Sequence, residues 1–427
     1  MTGTVLIGLF LLALLAGMPL ATGLGVASIA VLAMAGFDQL AVPTNIYAGI
    51  AKYPLLAIPM FILAGMIFER SGVAIRLVRF VTAIVGEWTG SLAVVAVLVS
   101  MLLGGISGSG PADAAAVAAV MLPSMIARGY PKGFSAGLIA ASGSTAIVIP
   151  PSVAFIVYSV MVPAATVPAL FAAGLFPGMI AALCLLVPAI VISRKYGFGR
   201  DFKATRPPLG RSFIDAIWGL LAPVIILGGL RTGIFTPTEA AVVAVAYGIF
   251  VGMVVYRSIT PKGLFRVLVD AGELSAVVLM IIGIASVFAW AGNTLGIFDV
   301  AAKALVGLHS SEWLMLLSIN LLLLAAGMFL DAISIFLILL PLLVPIAVAM
   351  GWDLVWFGVM MTINLAIGQF TPPMAISLMI TSRIAGIGME ETFKWVIWLV
   401  LAMGAGLALM IVFPQLALWL PGKLGYL

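Results

Sequence analysis

The sequence predicts an all-α polytopic membrane protein. Three observations predict it: a chain almost without charge, apolar runs longer than a bilayer is thick, and two halves that repeat each other. Of 427 residues, 64% are hydrophobic and 8% charged, and mean hydropathy is +1.30. A typical soluble domain carries about a quarter charged residues, so that class is excluded. Uninterrupted apolar runs of about 18 residues or more read as spans.

Residues 4–18 (TVLIGLFLLALLAGM) lack the basic stretch that opens a secretion signal, and apolar sequence resumes at once, so a retained span is expected. Cys184 is the single cysteine and can form no disulfide within the chain; it reads as a small packing residue. The net charge of +5 is no nucleic-acid signal, because its distribution accounts for it.

Basic residues cluster at Arg70–Arg79, Arg128–Lys132, Arg194–Arg211, Arg257–Arg266, Arg383 and Lys394. Placing these on one side leaves only Lys52, Arg231, Lys303 and Lys423 opposite, 16 of the 20 against 4. The positive-inside rule makes the crowded side cytoplasmic. Spans are then expected near 4–18, 22–36, 52–69, 134–160 and 166–193, and again near 213–230, 235–256, 270–292, 354–381 and 393–414. The stretches 90–127 and 312–350 must each enter and leave on one side, as re-entrant hairpins. The expected architecture is about ten spans plus two hairpins, with both termini outside.

The repeat is visible in particular residues. Asp113 precedes Pro123 by ten residues and Asp331 precedes Pro341 by ten. Downstream lie Pro150-Pro151 and Pro372-Pro373, 37 and 41 residues after the respective aspartates. The organisation follows: residues 1–194 form a first repeat with a hairpin tip near 104–113 and a broken helix near 142–152. Residues 195–211 form a cytoplasmic linker. Residues 212–427 form the second repeat, with a tip near 325–334 and a broken helix near 364–373. An odd number of spans per half makes the repeats inverted, which is the pattern of a secondary transporter.

Broken backbone survives at membrane depth only inside protein or around a polar cavity. Freed carbonyls and hydroxyls can coordinate a cation, while half-helix N-termini favour an anion. A hairpin tip paired with a broken helix in each half would give two ion sites flanking one substrate site. Asp113, Asp331 and Glu239 are the acids embedded in apolar sequence. A charge at the bilayer centre costs roughly 2.5–3.5 kcal/mol on insertion scales, so each needs a reason. For the two aspartates an ion site and an N-cap carry equal weight, and an aspartate that caps the second arm also orders the tip. For Glu239, three residues after Thr236, a capping box is expected. His309 is expected to be solvated, and Trp313, Trp352, Trp356, Trp395, Trp398 and Trp419 to mark span ends as interface aromatics. No P-loop is present, so an ion gradient must supply the energy. An intramembrane aspartyl protease is the rival from another class, but it shares only the residue types; a scaffold subunit leaves the duplicated polar breaks unexplained.

GGISGSGPADAAA (104–116), VIPPSV (148–153), GIFTPTEAA (233–241), MFLDA (328–332), NLAIGQFTPP (364–373) and LLAIPMFILAGMIFERSG (55–72) run in one order along the chain. Together they resemble the large membrane subunit of tripartite ATP-independent periplasmic (TRAP) transporters. The resemblance implies an ion-transporter-superfamily fold in which a transport domain moves as an elevator against a scaffold. It implies two partners, a small four-helix TRAP membrane subunit and a periplasmic substrate-binding protein. It also implies sodium-coupled symport of a carboxylate, such as a dicarboxylate or sialic acid, across the bacterial inner membrane, with no resident cofactor and no enzymatic step. On the matching motifs, one sodium site would use Ser107, Gly108, Ser109, Ser142, Gly143 and Thr145. The other would use Gly327, Asp331, Asn364, Gly368 and Thr371. Substrate would lie near Ser107, Pro150, Pro151, Gln369 and Pro373, with Asp113 ordering the tip. Gly110-Pro111 departs from the less rigid pair that many members carry. The alternative is a self-sufficient sodium- or proton-coupled anion symporter of the same superfamily.

Overall fold

Proline, glycine and capping side chains cut the apolar text into helices. The structure, a computed structural model, describes residues 2–200, 207–308 and 311–427. His309 therefore lies outside the described residues, as does part of the linker. No strand occurs among the described residues.

The first half opens with α1 (Thr2–Leu15) and α2 (Leu20–Met34), separated by a turn at Gly17 and Pro19, then the short α3 (Ala41–Ile50). A 3-10 turn at Tyr53–Leu56 leads into α4 (Ala57–Arg70), followed by the amphipathic α5 (Val73–Val85). The hairpin is α6 (Ser91–Ser107) and α7 (Gly110–Ala127). The broken helix is α8 (Lys132–Ser144) and α9 (Val153–Met161), and α10 (Val167–Tyr196) closes the half. The second half repeats the order. It runs α11 (Leu209–Arg231), α12 (Pro237–Ile249), α13 (Pro261–Thr294) and α14 (Ile297–Leu308), then the hairpin α15 (Glu312–Gly327) and α16 (Ala332–Ala349). A broken helix, α17 (Leu354–Gly368) and α18 (Ile376–Ala385), precedes α19 (Phe393–Val412) and α20 (Gln415–Leu424).

Local chemistry fixes many of these boundaries. Thr166, Thr260 and Asp353 accept N–H bonds at the starts of α10, α13 and α17, which satisfies donors no helix can pair internally. Thr236 and Glu239 form the expected capping box at α12. Among the described residues, eight helices are long and apolar enough to cross a membrane. The expected spans at 4–18 and 22–36 are instead α1 and α2, of 14 and 15 residues. At 1.5 Å per residue each reaches only about 21–23 Å, short of the roughly 30 Å hydrocarbon core. In the opposite sense, α13 has 34 residues and reaches about 51 Å, so it outruns the membrane.

The halves interlock reciprocally. Helix α4 packs against α12, and α2 against α13. Each broken helix sends its second piece across: α18 packs on α7 and α8, and α9 packs on α16. The tryptophans divide. Trp313, Trp398 and Trp419 are exposed, but Trp352, Trp356 and Trp395 are buried, so half of the expected interface aromatics belong to the core. Trp352 and Trp356 stack edge to face, and Trp356 Nε1 donates to the Met410 carbonyl at 3.2 Å. Cys184 is free and packs beside Gly406. The expected linker begins in structure, since α10 runs to Tyr196 and Phe198 is buried.

Candidate functional site

The first tip is tighter than the sequence suggests. Gly104 and Gly105 do not break α6, which continues through Ser107. Only Gly108 and Ser109 lie outside helix, and Gly108 holds φ 63, in the left-handed region that favours glycine. A Cβ at Gly108 would also stand 2.2 Å from the Pro151 carbonyl oxygen. The tip is therefore seated directly on the break of α8–α9.

The N-cap position expected at Asp113 falls one turn earlier, on Ser109, whose side chain makes no cap bond. Asp113 instead reaches across the tip: Ser107 Oγ donates to its Oδ1 at 2.6 Å, and the Ser109 N–H donates to Ser107 Oγ at 3.2 Å. Its other oxygen, Oδ2, is buried and has no partner. A sequence reading misses this because an acid near a helix start has the composition of a cap. Pro111 and the two-residue tip move the start forward.

In the facing break the hydroxyls are used locally. Thr145 Oγ1 donates to the Ser142 carbonyl at 2.7 Å, and Ser142 Oγ lies 3.0 Å from Ser100 Oγ on α6. Ser152 Oγ donates to the Ile147 carbonyl at 2.5 Å and accepts from the Phe155 N–H, capping α9. Gly143 packs on Ala114 of α7. Pro150 and Pro151 are buried, and the bond between them is cis, as is Pro372-Pro373.

The second half places the same parts differently. Gly327 and Gly368 touch through backbone: a Cβ on Gly368 would lie 2.6 Å from Gly327 Cα. Asp331 caps α16, accepting from Ile333 N–H at 3.0 Å, Ser334 N–H at 3.2 Å and the Ser334 hydroxyl. Both of its oxygens are thereby engaged. Asn364 Nδ2 donates to the carbonyl and Oδ1 of Asn320, at 2.9 and 2.8 Å, while Asn364 Oδ1 is buried without a partner. Thr371 Oγ1 donates to the Ile367 carbonyl, and Pro373 is exposed. Ala375, at φ 43, donates its N–H to the Met328 carbonyl at 3.1 Å, tying the second tip to the start of α18.

Gln369 joins the halves. Its side chain is buried, its Oε1 has no partner, and that oxygen would lie 2.4 Å from a Cβ on Gly110 of the first tip. The first tip thus faces Pro151 of its own half and Gln369 of the other. Asp113 Oδ2, Asn364 Oδ1 and Gln369 Oε1 are three buried oxygen acceptors, on a hairpin and on a broken helix, with lone pairs unspent. Buried acceptors are almost always paired, and a hard cation takes oxygen donors of this kind.

Two residues escaped sequence reading. Ser100 and Asn320 are the first-arm partners of Ser142 and Asn364. A signal was present: each stands seven residues before the end of its arm, Ser107 or Gly327, and each partner stands eight before its Pro-Pro pair.

Comparison with known proteins decides the class. The family model described as "Tripartite ATP-independent periplasmic transporter, DctM component" matches residues 7–416. The chain belongs to that family. It is 37% identical over 443 residues to the C4-dicarboxylate TRAP transporter large permease protein DctM of Rhodobacter capsulatus, covering 100% of both chains. It is 39% identical over 380 residues to the sialic acid TRAP transporter large permease protein SiaM of Vibrio cholerae, covering 88% of each. Its fold is similar to the crystal structure of the YdaH transporter of Alcanivorax borkumensis, with TM-score 0.66, 14% identity, and 88% and 89% of the two chains covered. As a DctM component the chain is a transport permease subunit of the TRAP class and not an enzyme. The protease reading falls with that membership.

Proposed function

We propose that this DctM component carries an organic acid inward across the bacterial inner membrane, coupled to sodium, as the large subunit of a three-part importer. The observation that carries the proposal is the meeting of the first tip with Pro151 and Gln369, beside buried oxygens left without partners. Sodium is a co-transported substrate. In the first half the candidate donors are the freed backbone around Ser107, Gly108, Ser109, Ser142, Gly143 and Thr145, with Asp113 Oδ2 in reach of the same tip. In the second half they are Asn364 Oδ1 and backbone of Gly327, Gly368 and Thr371; Asp331 acts through the order it gives α16. A carboxylate substrate lies between them, near Ser107, Pro150, Pro151, Gln369 and Pro373, where half-helix N-termini favour negative charge. The named cargoes of the two relatives, C4-dicarboxylate and sialic acid, have a carboxylate in common. The hairpins and broken helices form the moving unit of an elevator, and α1–α4 with α11–α13 the scaffold. A small membrane subunit and a periplasmic binding protein complete the importer, and both termini of the chain are periplasmic.

Reconstitution with both partners tests this. Uptake of the acid presented by the binding protein should collapse when choline replaces sodium at constant pH and membrane potential. Uptake sustained by a proton gradient alone overturns the coupling ion. Uptake by this chain without partners overturns the three-part assembly in favour of a self-sufficient symporter.

A further inference from the structure

A hollow of about 520 Å³ opens where the connection into α4 and the start of α12 meet the end of α9 and the start of α10. Its volume falls in the range of small-molecule pockets, roughly 300–1,000 Å³. Pro54, Pro163, Pro168 and Pro237 stand in its wall, and their fixed φ limits the freedom of the backbone there. The hollow is therefore preformed, and it lies between two groups of elements that the function above assigns to the scaffold and to the moving unit.

Lys52 is the one charged residue on this wall. Its Nζ donates to the Val160 carbonyl at 3.3 Å, beyond the roughly 2.7–3.2 Å of an ordinary N–H···O bond. No carboxylate pairs with it among the described residues. Glu239, next to Thr238 of the wall in sequence, turns its carboxylate onto Thr236 instead. The starts of α10 and α12 open onto the same hollow, and the positive ends of their dipoles add to the potential of Lys52. A cleft lined by one sign of charge gathers counter-ions and speeds their capture. A bond from an ammonium to a carboxylate is about twice as strong as one between neutral groups and stronger than this long bond to a carbonyl. A carboxylate entering the hollow therefore takes Lys52 from Val160. Lysine, a compact charge on a flexible stem, suits receiving and releasing an anion better than clamping it.

We propose that this hollow is the outer station of the transported carboxylate and that Lys52 is the cation that receives it there. The proposal rests on the function above, which sets Lys52 on the periplasmic side and α9 in the moving unit. Helix α9 begins just after the Pro150-Pro151 break, and its 9 residues span about 14 Å. The station thus stands one short helix away from the substrate position between the tips. Val160 is the next-to-last residue of α9, so a carboxylate that draws Lys52 away also frees the end of α9 from the scaffold.

The test uses the full importer in vesicles with both partners. Uptake is read with the acid that the binding protein carries: succinate for a dicarboxylate partner, sialic acid for a sialic acid partner. Lys52→Gln should raise the half-saturating concentration of the loaded binding protein about tenfold, the low end of what charge focusing adds to capture. The maximal rate and the half-saturating sodium concentration should stay as they are, and Lys52→Arg should restore capture. Lys423→Gln, at an exposed basic residue near the end of α20, should change nothing. In a Cys184→Ala chain, Lys52→Cys carries the one thiol. Treatment with 2-aminoethyl methanethiosulfonate should bring capture back, and the 2-sulfonatoethyl reagent should not. Both reagents act after folding, so this comparison stands even if Lys52→Gln fails to fold. Unchanged capture in Lys52→Gln overturns the proposal, as do equal results with the two reagents. Weaker docking of the acid-free binding protein to Lys52→Gln vesicles also overturns it, in favour of a contact between the two proteins. Choline in place of sodium on the unaltered importer reads the coupling separately, so a failure there is distinct from a failure at Lys52.

Discussion

The two hairpin tips carry the same signature, an aspartate ten residues before a proline, and use it in opposite ways. In the first tip the aspartate spans the turn to Ser107 and keeps one buried oxygen unspent. In the second, Asp331 turns both oxygens onto the start of its own helix. The first tip is two residues long, with Gly108 buried and Ser109 half-buried; the second runs through Met328, Phe329 and Leu330, with Phe329 exposed. The two tips therefore share a backbone device and differ in what the charge does. Where the carboxylate caps, it stabilises; where it does not, an acceptor is left over for something else.

The sharpest way to break this comparison is at the tips themselves. Gly108→Ala introduces a Cβ that has no room against Pro151 and a φ that alanine avoids, so uptake by the reconstituted importer should be lost. The matching residue at the end of the second arm is Met328, with an ordinary φ of −68. Met328→Ala should keep uptake within about twofold, since substitutions that disturb no packed feature usually shift stability by less than about 0.5 kcal/mol. Loss of uptake in both variants would make the tips equivalent.

The aspartates come next. Asp113→Asn keeps the shape and replaces the carboxyl that bears the unpaired oxygen, and should raise the half-saturating sodium concentration about tenfold, the equivalent of about 1.4 kcal/mol. Asp331→Asn should leave sodium dependence near wild type, because asparagine caps a helix about as well. Asp331→Ala should lower thermal stability by about 1 kcal/mol through the lost cap, with a small change in sodium dependence. Equal sodium shifts for Asp113→Asn and Asp331→Asn would sink the division of labour.

How much of this was legible beforehand depended on the range of the interaction. Hairpins, breaks and the repeat were visible because Pro-Pro pairs, glycines and buried acids are rare in apolar sequence and act locally. The capping box at Thr236 was legible for the same reason. Asp113 was not, because a shift of one turn in the start of α7 converts a cap into a strut, and only the packing of Gly108 on Pro151 fixes that start. The pairing of Gln369 with Gly110, 259 residues away in sequence, left no local trace at all. Trp352 and Trp356 look like interface residues by position, and they are buried because α19 and the Glu312 end of the second hairpin cover them: Trp356 bonds to Met410 and Trp352 Nε1 to Glu312.

The smallest expected difference lies deeper in the arms. Ser100 and Ser142 share one bond across α6 and α8, whereas Asn364 places two bonds on Asn320 across α15 and α17. Ser100→Ala should therefore cost about 1 kcal/mol, the usual net worth of a buried hydrogen bond. Asn320→Ala keeps its backbone carbonyl but removes the side-chain acceptor, along with the bonds its Nδ2 gives to the Leu316 carbonyl and the Met360 sulfur, and it opens a gap beside an amide that is already short of a partner at Oδ1. Leaving such a group further unsatisfied costs about 1–3 kcal/mol. Double-mutant cycles separate the two: coupling between Asn320 and Asn364 in thermal unfolding should exceed that between Ser100 and Ser142. Coupling of equal size would mean that the arms are held alike in both halves, and the asymmetry would then be confined to the tips.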